Sequence, residues 1–168
     1  MLSLYSLLQK AKSSQSSLWF LNLIVKKIVP FNKPHHVKIK TVGVDYVETV
    51  IPYRKKNLNH VNGIHACAIA TVGEFAAGLA IMSQFSPLDY RVILSRLEID
   101  YFYQAKKDLI AKAVLNNAEK SIILETLLTD EKTLQVMTTE ITDINAQKIA
   151  TVKSTWQIKD WKKVKTQV

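Results

Sequence analysis

One carboxylate stands out for where it lies. Residues Ile64 to Met82 are nearly all apolar, and Glu74 sits in the middle of them. An ionised carboxylate in such surroundings costs several kcal/mol unless it is paired or takes up a proton. Two readings stand side by side. Arg91 or Arg96 neutralises it, or Glu74 lines a cleft, where a carboxylate activates water. Helical spacing places Cys67 and Thr71 behind it on the same face and Gly78 ahead, with room for a ligand. Just upstream, the turn at Asn62-Gly63 leads into a helix start at His65-Ala66-Cys67. Backbone N–H groups converge there and the helix dipole favours developing negative charge, so these amides are placed to act as an oxyanion hole for a thioester carbonyl.

The elements that must hold these groups follow from periodicity. In the segment 64–82, small residues recur at Ala66, Ala70, Gly73, Ala77 and Ala80, while Ile69, Val72, Ala76 and Leu79 form a bulkier face; this predicts a helix enclosed on several sides. A transmembrane span is disfavoured by Glu74 and by the small residues. Residues 37–51 are rich in Val, Ile, Thr and Tyr and read as one strand bent near Gly43, followed by a polar loop from Arg54 to Gly63 that includes Asn59. Strands are predicted at 92–103 and 109–115. Asn116 with Glu119 reads as a capping box opening a short helix over 117–128. Residues 133–142 and 148–158 form a hairpin across 143–147. The total is five strands following one another through short links around one long helix, an antiparallel α+β arrangement.

Before the first strand, residues 1–32 read as helix, with a polar break at Ser13 to Ser17 and Ser17 as the N-cap of the second part. Leu18, Leu21, Val25 and Ile28 recur at helical spacing, with Trp19 and Phe20 broadening the apolar face beside Lys26 and Lys27. Such a helix either packs on the domain or lies on a membrane surface. The resulting organisation is a helical extension at 1–34, a main domain at 35–160 and a basic tail at 161–168.

The 168 residues suit one domain, and a net charge of +9 favours an anionic partner. Basic residues are spread along the chain apart from Arg54-Lys55-Lys56 and the stretch 159–165, so a nucleic-acid partner is not expected. Cys67 is the only cysteine, which excludes an internal disulfide and makes a reducing cytoplasm the simplest location. The histidines His35, His36, His60 and His65 lack an i, i+4 pair, so no metal site is expected. Cys67 reads as a small core residue rather than a thiol nucleophile. Trp156 reads as core, and Trp161 as part of the solvated tail.

The run Asn62-Gly63-Ile64-His65-Ala66-Cys67-Ala68-Ile69-Ala70-Thr71-Val72-Gly73-Glu74 resembles the helix start of small bacterial acyl-CoA thioesterases of the hot-dog fold. In these a His-Gly-Gly start is followed, at the spacing between His65 and Glu74, by an acidic residue on the central helix. The stretch from Leu97 to Leu109 resembles the strand, turn and strand that come next. His-Ala-Cys here replaces His-Gly-Gly, and Gln104 and Lys107 stand where proline and glycine are usual. The pattern looks closer to a hot-dog subfamily of unassigned function than to the well-characterised enzymes. The resemblance implies a five-stranded sheet wrapped around the central helix, and a homodimer or dimer of dimers with active sites at subunit interfaces. It implies an acyl-CoA or other acyl thioester as substrate, with coenzyme A entering only as part of that substrate and no other cofactor. Carried over, Glu74 is the base or nucleophile, the amide of Ala66 the oxyanion donor, and Asn62 or His65 a positioning group; Cys67, Gly63, Thr71 and Asn59 complete the substrate-binding set. The alternative is a non-catalytic acyl-binding protein whose N-terminal helix touches the membrane surface.

Overall fold

The computed structural model describes residues 3–164; the first two residues of the N-terminal extension and the last four of the basic tail lie outside it. The helical N-terminus resolves into α1, Leu4–Ala11, and α2, Gln15–Ile28. The break falls earlier than the serine run implies. Ser14 is the N-cap of α2, its hydroxyl accepting from the Ser17 amide at 3.2 Å, so Ser17 is the capped residue and not the cap.

Six strands follow, not five: β1, Lys38–Val42; β2, Tyr46–Ile51; β3, Tyr90–Tyr101; β4, Leu109–Val114; β5, Thr133–Asp143; and β6, Lys148–Asp160. The extra strand comes from the segment expected to be one bent strand. Gly43 begins a tight reversal in which its amide bonds the Tyr46 carbonyl at 2.8 Å, splitting the segment into an antiparallel pair. A Cβ at position 43 would run into the Tyr46 ring, so a side chain there would have to displace that ring. All pairs are antiparallel, in the order β1-β2-β4-β5-β6-β3. The capping box at Asn116 and Glu119 forms as expected and opens α4, Asn117–Thr129.

The sheet curls around α3, Ala66–Met82, whose residues from Val72 to Ile81 are nearly all buried. Small residues on α3 allow this close seat. A Cβ on Gly73 would stand 2.6 Å from the Val152 side chain, and one on Gly78 would stand 2.9 Å from the Trp156 ring. The Thr49 hydroxyl donates to the Val72 carbonyl at 2.9 Å, fixing the helix over β2. Alternate residues of the strands, such as Leu109, Ala111 and Ala113 on β4, complete the core by the period of two of a half-buried sheet. Leu8 of α1 and Leu21 of α2 are fully buried in that same core. Among the described residues no helix is long and apolar enough to cross a membrane. The architecture is the hot-dog arrangement that the resemblance implies.

Candidate active site

The start of α3 is built by side chains that each satisfy one backbone group. Asn59 Oδ1 accepts from the amides of Val61 at 3.1 Å and Gly63 at 3.0 Å. Asn62 takes up a left-handed backbone with φ 58°, a conformation that asparagine tolerates better than most residues. The Tyr53 hydroxyl donates to the Asn62 carbonyl at 2.7 Å, and Gln104 Nε2 to the Val61 carbonyl at 3.0 Å. The amides of Ile64 and His65 reach the carbonyls of Ala105 and Asn57, and His65 then caps the helix, its Nδ1 accepting from the Cys67 amide at 3.1 Å. Gly63 and Cys67 therefore spend their N–H groups inside the turn. Ala66 does not: among the described residues its amide has no acceptor. The oxyanion role expected of this segment narrows to that one amide. Its surroundings are open, since His65, Ala66 and Cys67 are all exposed. The expectation that Cys67 is a small core residue is thus corrected: it is exposed on the first turn of α3.

Two turns further along, Glu74 is half-buried and lines a cavity of about 470 Å³. Thr71 and Gly78 line the same cavity, as the shared helix face requires, and apart from Asn32 the remaining wall is apolar, from Val25, Phe31, Leu94 and Leu97 among others. The Thr71 hydroxyl is occupied, donating to the Cys67 carbonyl at 2.8 Å. Neither arginine considered as a partner for Glu74 reaches it. Arg91 bonds Gln157 at 3.0 Å and Arg96 bonds Glu98 at 2.7 Å. Among the described residues Glu74 has no ion pair and no hydrogen bond, and burial pushes its carboxyl above the ordinary carboxylate range. A carboxylate held in this way is a stronger base than one in water.

A smaller cavity of about 150 Å³ adjoins the first, sharing Thr71 and Phe31, and is lined by Lys56, His35, Asn57, His65 and Cys67. Asn57 is buried, its amide group donating to the His35 and Pro52 carbonyls at 3.0 and 2.9 Å. Sequence patterns alone do not single out Lys56, Leu94, Leu97 or Phe31, because each meets the site from a different element. Tyr101 is a further residue of this kind. Its hydroxyl donates to the Ala66 carbonyl at 3.1 Å, and burial, with Cys67 nearby as a smaller cause, pushes its pKa up, so that it stays a protonated donor.

The two reactive features lie far apart within one chain. Eight residues separate Ala66 from Glu74, and at 1.5 Å per residue that is about 12 Å along the helix. One thioester carbonyl cannot span both groups. Both nevertheless border β3, one of the two edge strands of the sheet: Leu94 and Leu97 line the Glu74 cavity, and Tyr101 holds the helix start.

A family model described as a domain of unknown function, DUF4442, matches residues 18–158. No curated protein matches the chain. Among solved structures, a protein of unknown function and probable thioesterase from Pseudomonas aeruginosa superposes with a TM-score of 0.77 at 17% identity, covering 83% of this chain and 93% of that one. A thioesterase from Haemophilus influenzae gives 0.68 at 14% identity, covering 89% and 94%. A mutant of a thioesterase enzyme from Staphylococcus aureus gives 0.64 at 17% identity, covering 77% and 98%. At these identities the likeness is one of fold.

Proposed function

We propose, from the premise that this chain belongs to the DUF4442 family, that it is a thioester hydrolase acting on acyl-CoA or a related acyl thioester. The observation that carries the reading is Glu74, a carboxylate without a partner among the described residues, in the wall of a mostly apolar cavity. A purely structural carboxylate in that position would be paired, and the two arginines available for pairing bond elsewhere. The cavity falls in the usual size range of small-molecule sites, roughly 300–1,000 Å³, and its wall suits an acyl chain. Lys56 in the adjoining cavity, beside Lys55 and Arg54, offers positive charge to the phosphates of a coenzyme A moiety.

In this mechanism Glu74 takes a proton from water as the oxygen attacks the thioester carbon. The carbonyl electrons move onto oxygen, which the Ala66 N–H stabilises. Collapse reforms the carbonyl and breaks the carbon–sulfur bond, and the departing thiolate recovers the proton from Glu74. The products are a carboxylic acid and a thiol.

The 12 Å separation makes the site a shared one. A two-fold axis crossing an antiparallel pair of β3 edges near Glu98 exchanges the two ends of the strand. The helix start beside Tyr101 in one copy then meets the Glu74 cavity beside Leu94 and Leu97 in the other. A homodimer of this kind uses the long free edge that an isolated chain leaves unpaired.

The test is release of free thiol from short, long and aromatic acyl-CoA esters by the wild type and by Glu74→Gln. Turnover that the variant loses by about 10²-fold or more supports general-base catalysis by Glu74. A variant that keeps its rate sinks the mechanism. No turnover on any ester, with acyl-CoA still bound, replaces the hydrolase with an acyl-binding protein.

A further inference from the structure

The outer face of α2 has no role in the cavity or in the core. Leu18, Leu21 and Val25 turn inward, while Trp19, Phe20 and Leu23 project outward with Lys26 and Lys27 on the same side. Trp19 is 66% exposed. A monomer rarely leaves a tryptophan, a phenylalanine and a leucine together on one exposed helix face. Charge indicates what covers them. Seven lysines and no acidic residue precede Asp45, whereas the rest of the chain is nearly balanced. Among the described residues Lys26 and Lys27 form no ion pair. Apolar aromatics ringed by unpaired lysines match the requirements of an interfacial helix, which buries its apolar face among acyl chains and sets its lysines at anionic headgroups.

We infer that the outer face of α2 docks the protein on an anionic lipid bilayer. Charge supports this occupant over a second protein copy, because two copies of the same lysine-bearing face would repel each other. Ile28 and Phe31 line the Glu74 cavity and are themselves 52% and 66% exposed, so its rim lies at the C-terminal end of the docking helix. The inference is independent of the thioesterase reading, because binding to a bilayer requires nothing of Glu74.

The test is co-sedimentation of the full chain with phosphatidylcholine vesicles and with vesicles of equal parts phosphatidylcholine and phosphatidylglycerol, at low and raised salt. The wild type partitions onto the anionic vesicles and less so as salt rises. Lys26→Gln with Lys27→Gln weakens that partition about 30-fold, at roughly fivefold per lysine. Trp19→Ser with Phe20→Ser weakens it at least about tenfold. All four positions are exposed, and unchanged thermal melts establish that the variants fold. Equal partition onto both vesicle types, or variants that partition like the wild type, overturns the inference. So does a wild type that ignores vesicles while Trp19→Ser with Phe20→Ser lowers its oligomeric mass, which assigns the face to a second copy.

Discussion

Replacing Ala66 with proline removes one hydrogen atom of interest and little else. Ala66 is the first residue of α3, where proline is favoured because the lost N–H has no helical acceptor. The preceding His65 has φ −61° and ψ 140°, the extended conformation that a following proline demands. The side chain is exposed, so the ring meets solvent. Stability should therefore stay within about 2 °C in Tm. Turnover should not, because an oxyanion donor contributes a factor of about 10²–10³ in kcat, or roughly 3–4 kcal/mol. Mixing supplies a sharper check. Ala66→Pro and Glu74→Gln chains, each inactive alone, form mixed dimers after joint refolding, and in such a dimer one of the two shared sites holds an intact amide and an intact carboxylate. Random pairing then restores about a quarter of wild-type activity, measured as thiol release. If Ala66→Pro keeps its rate, the amide is not the donor. If the mixture is no more active than its components, the 12 Å argument for a shared site is wrong.

Glu74 also carries a stability signature. Below its ordinary value of 4.5 the carboxyl is protonated in both folded and unfolded chains and costs nothing; as pH rises through the raised folded value, the unfolded state releases the proton more readily and stability is lost. Glu74→Gln should then match the wild type in acid and exceed it in Tm at pH 8, read by thermal denaturation across pH; a variant less stable than the wild type at pH 8 would mean that the carboxylate is paired. Asn62→Gly keeps the left-handed turn, so its Tm should hold while kcat/KM falls about tenfold or more if the carboxamide positions substrate; loss of Tm with an unchanged rate would confine Asn62 to the turn. Ala146, in the β5–β6 turn, adopts φ 64° and pays the steric cost of that region, so Ala146→Gly should raise stability by about 0.5–1 kcal/mol in a denaturant titration, and a lower midpoint would contradict the assignment of strain.

Much of this architecture is written in local signals. The apolar segment around Glu74 announces an enclosed helix because no surface helix tolerates so few polar residues, and Asn116 with Glu119 announces α4 because two orphan amides are satisfied at once. The reversal at Gly43 escaped because β-branched residues on both sides read as one strand. What divides them is the close approach of the Tyr46 ring to a backbone, a contact that propensity does not encode. Ser14 and Ser17 are equivalent by composition, and only the register of the first helical turn separates cap from capped.

The site divides along the same line. Glu74, Thr71 and Gly78 share a face by helical arithmetic, and the structure places all three on one cavity. Which of the turn's amides remains free is a different kind of question. It depends on Asn59 claiming Gly63, Asn57 claiming His65 and His65 claiming Cys67, a competition among hydrogen bonds that leaves Ala66 over. The same helical arithmetic that unites Glu74 with Thr71 forbids Glu74 from reaching Ala66 in its own chain. On the proposed dimer, a motif contiguous in sequence would then supply halves of two different sites, and the spacing between His65 and Glu74 would separate one subunit's two contributions rather than give the geometry of one reaction centre.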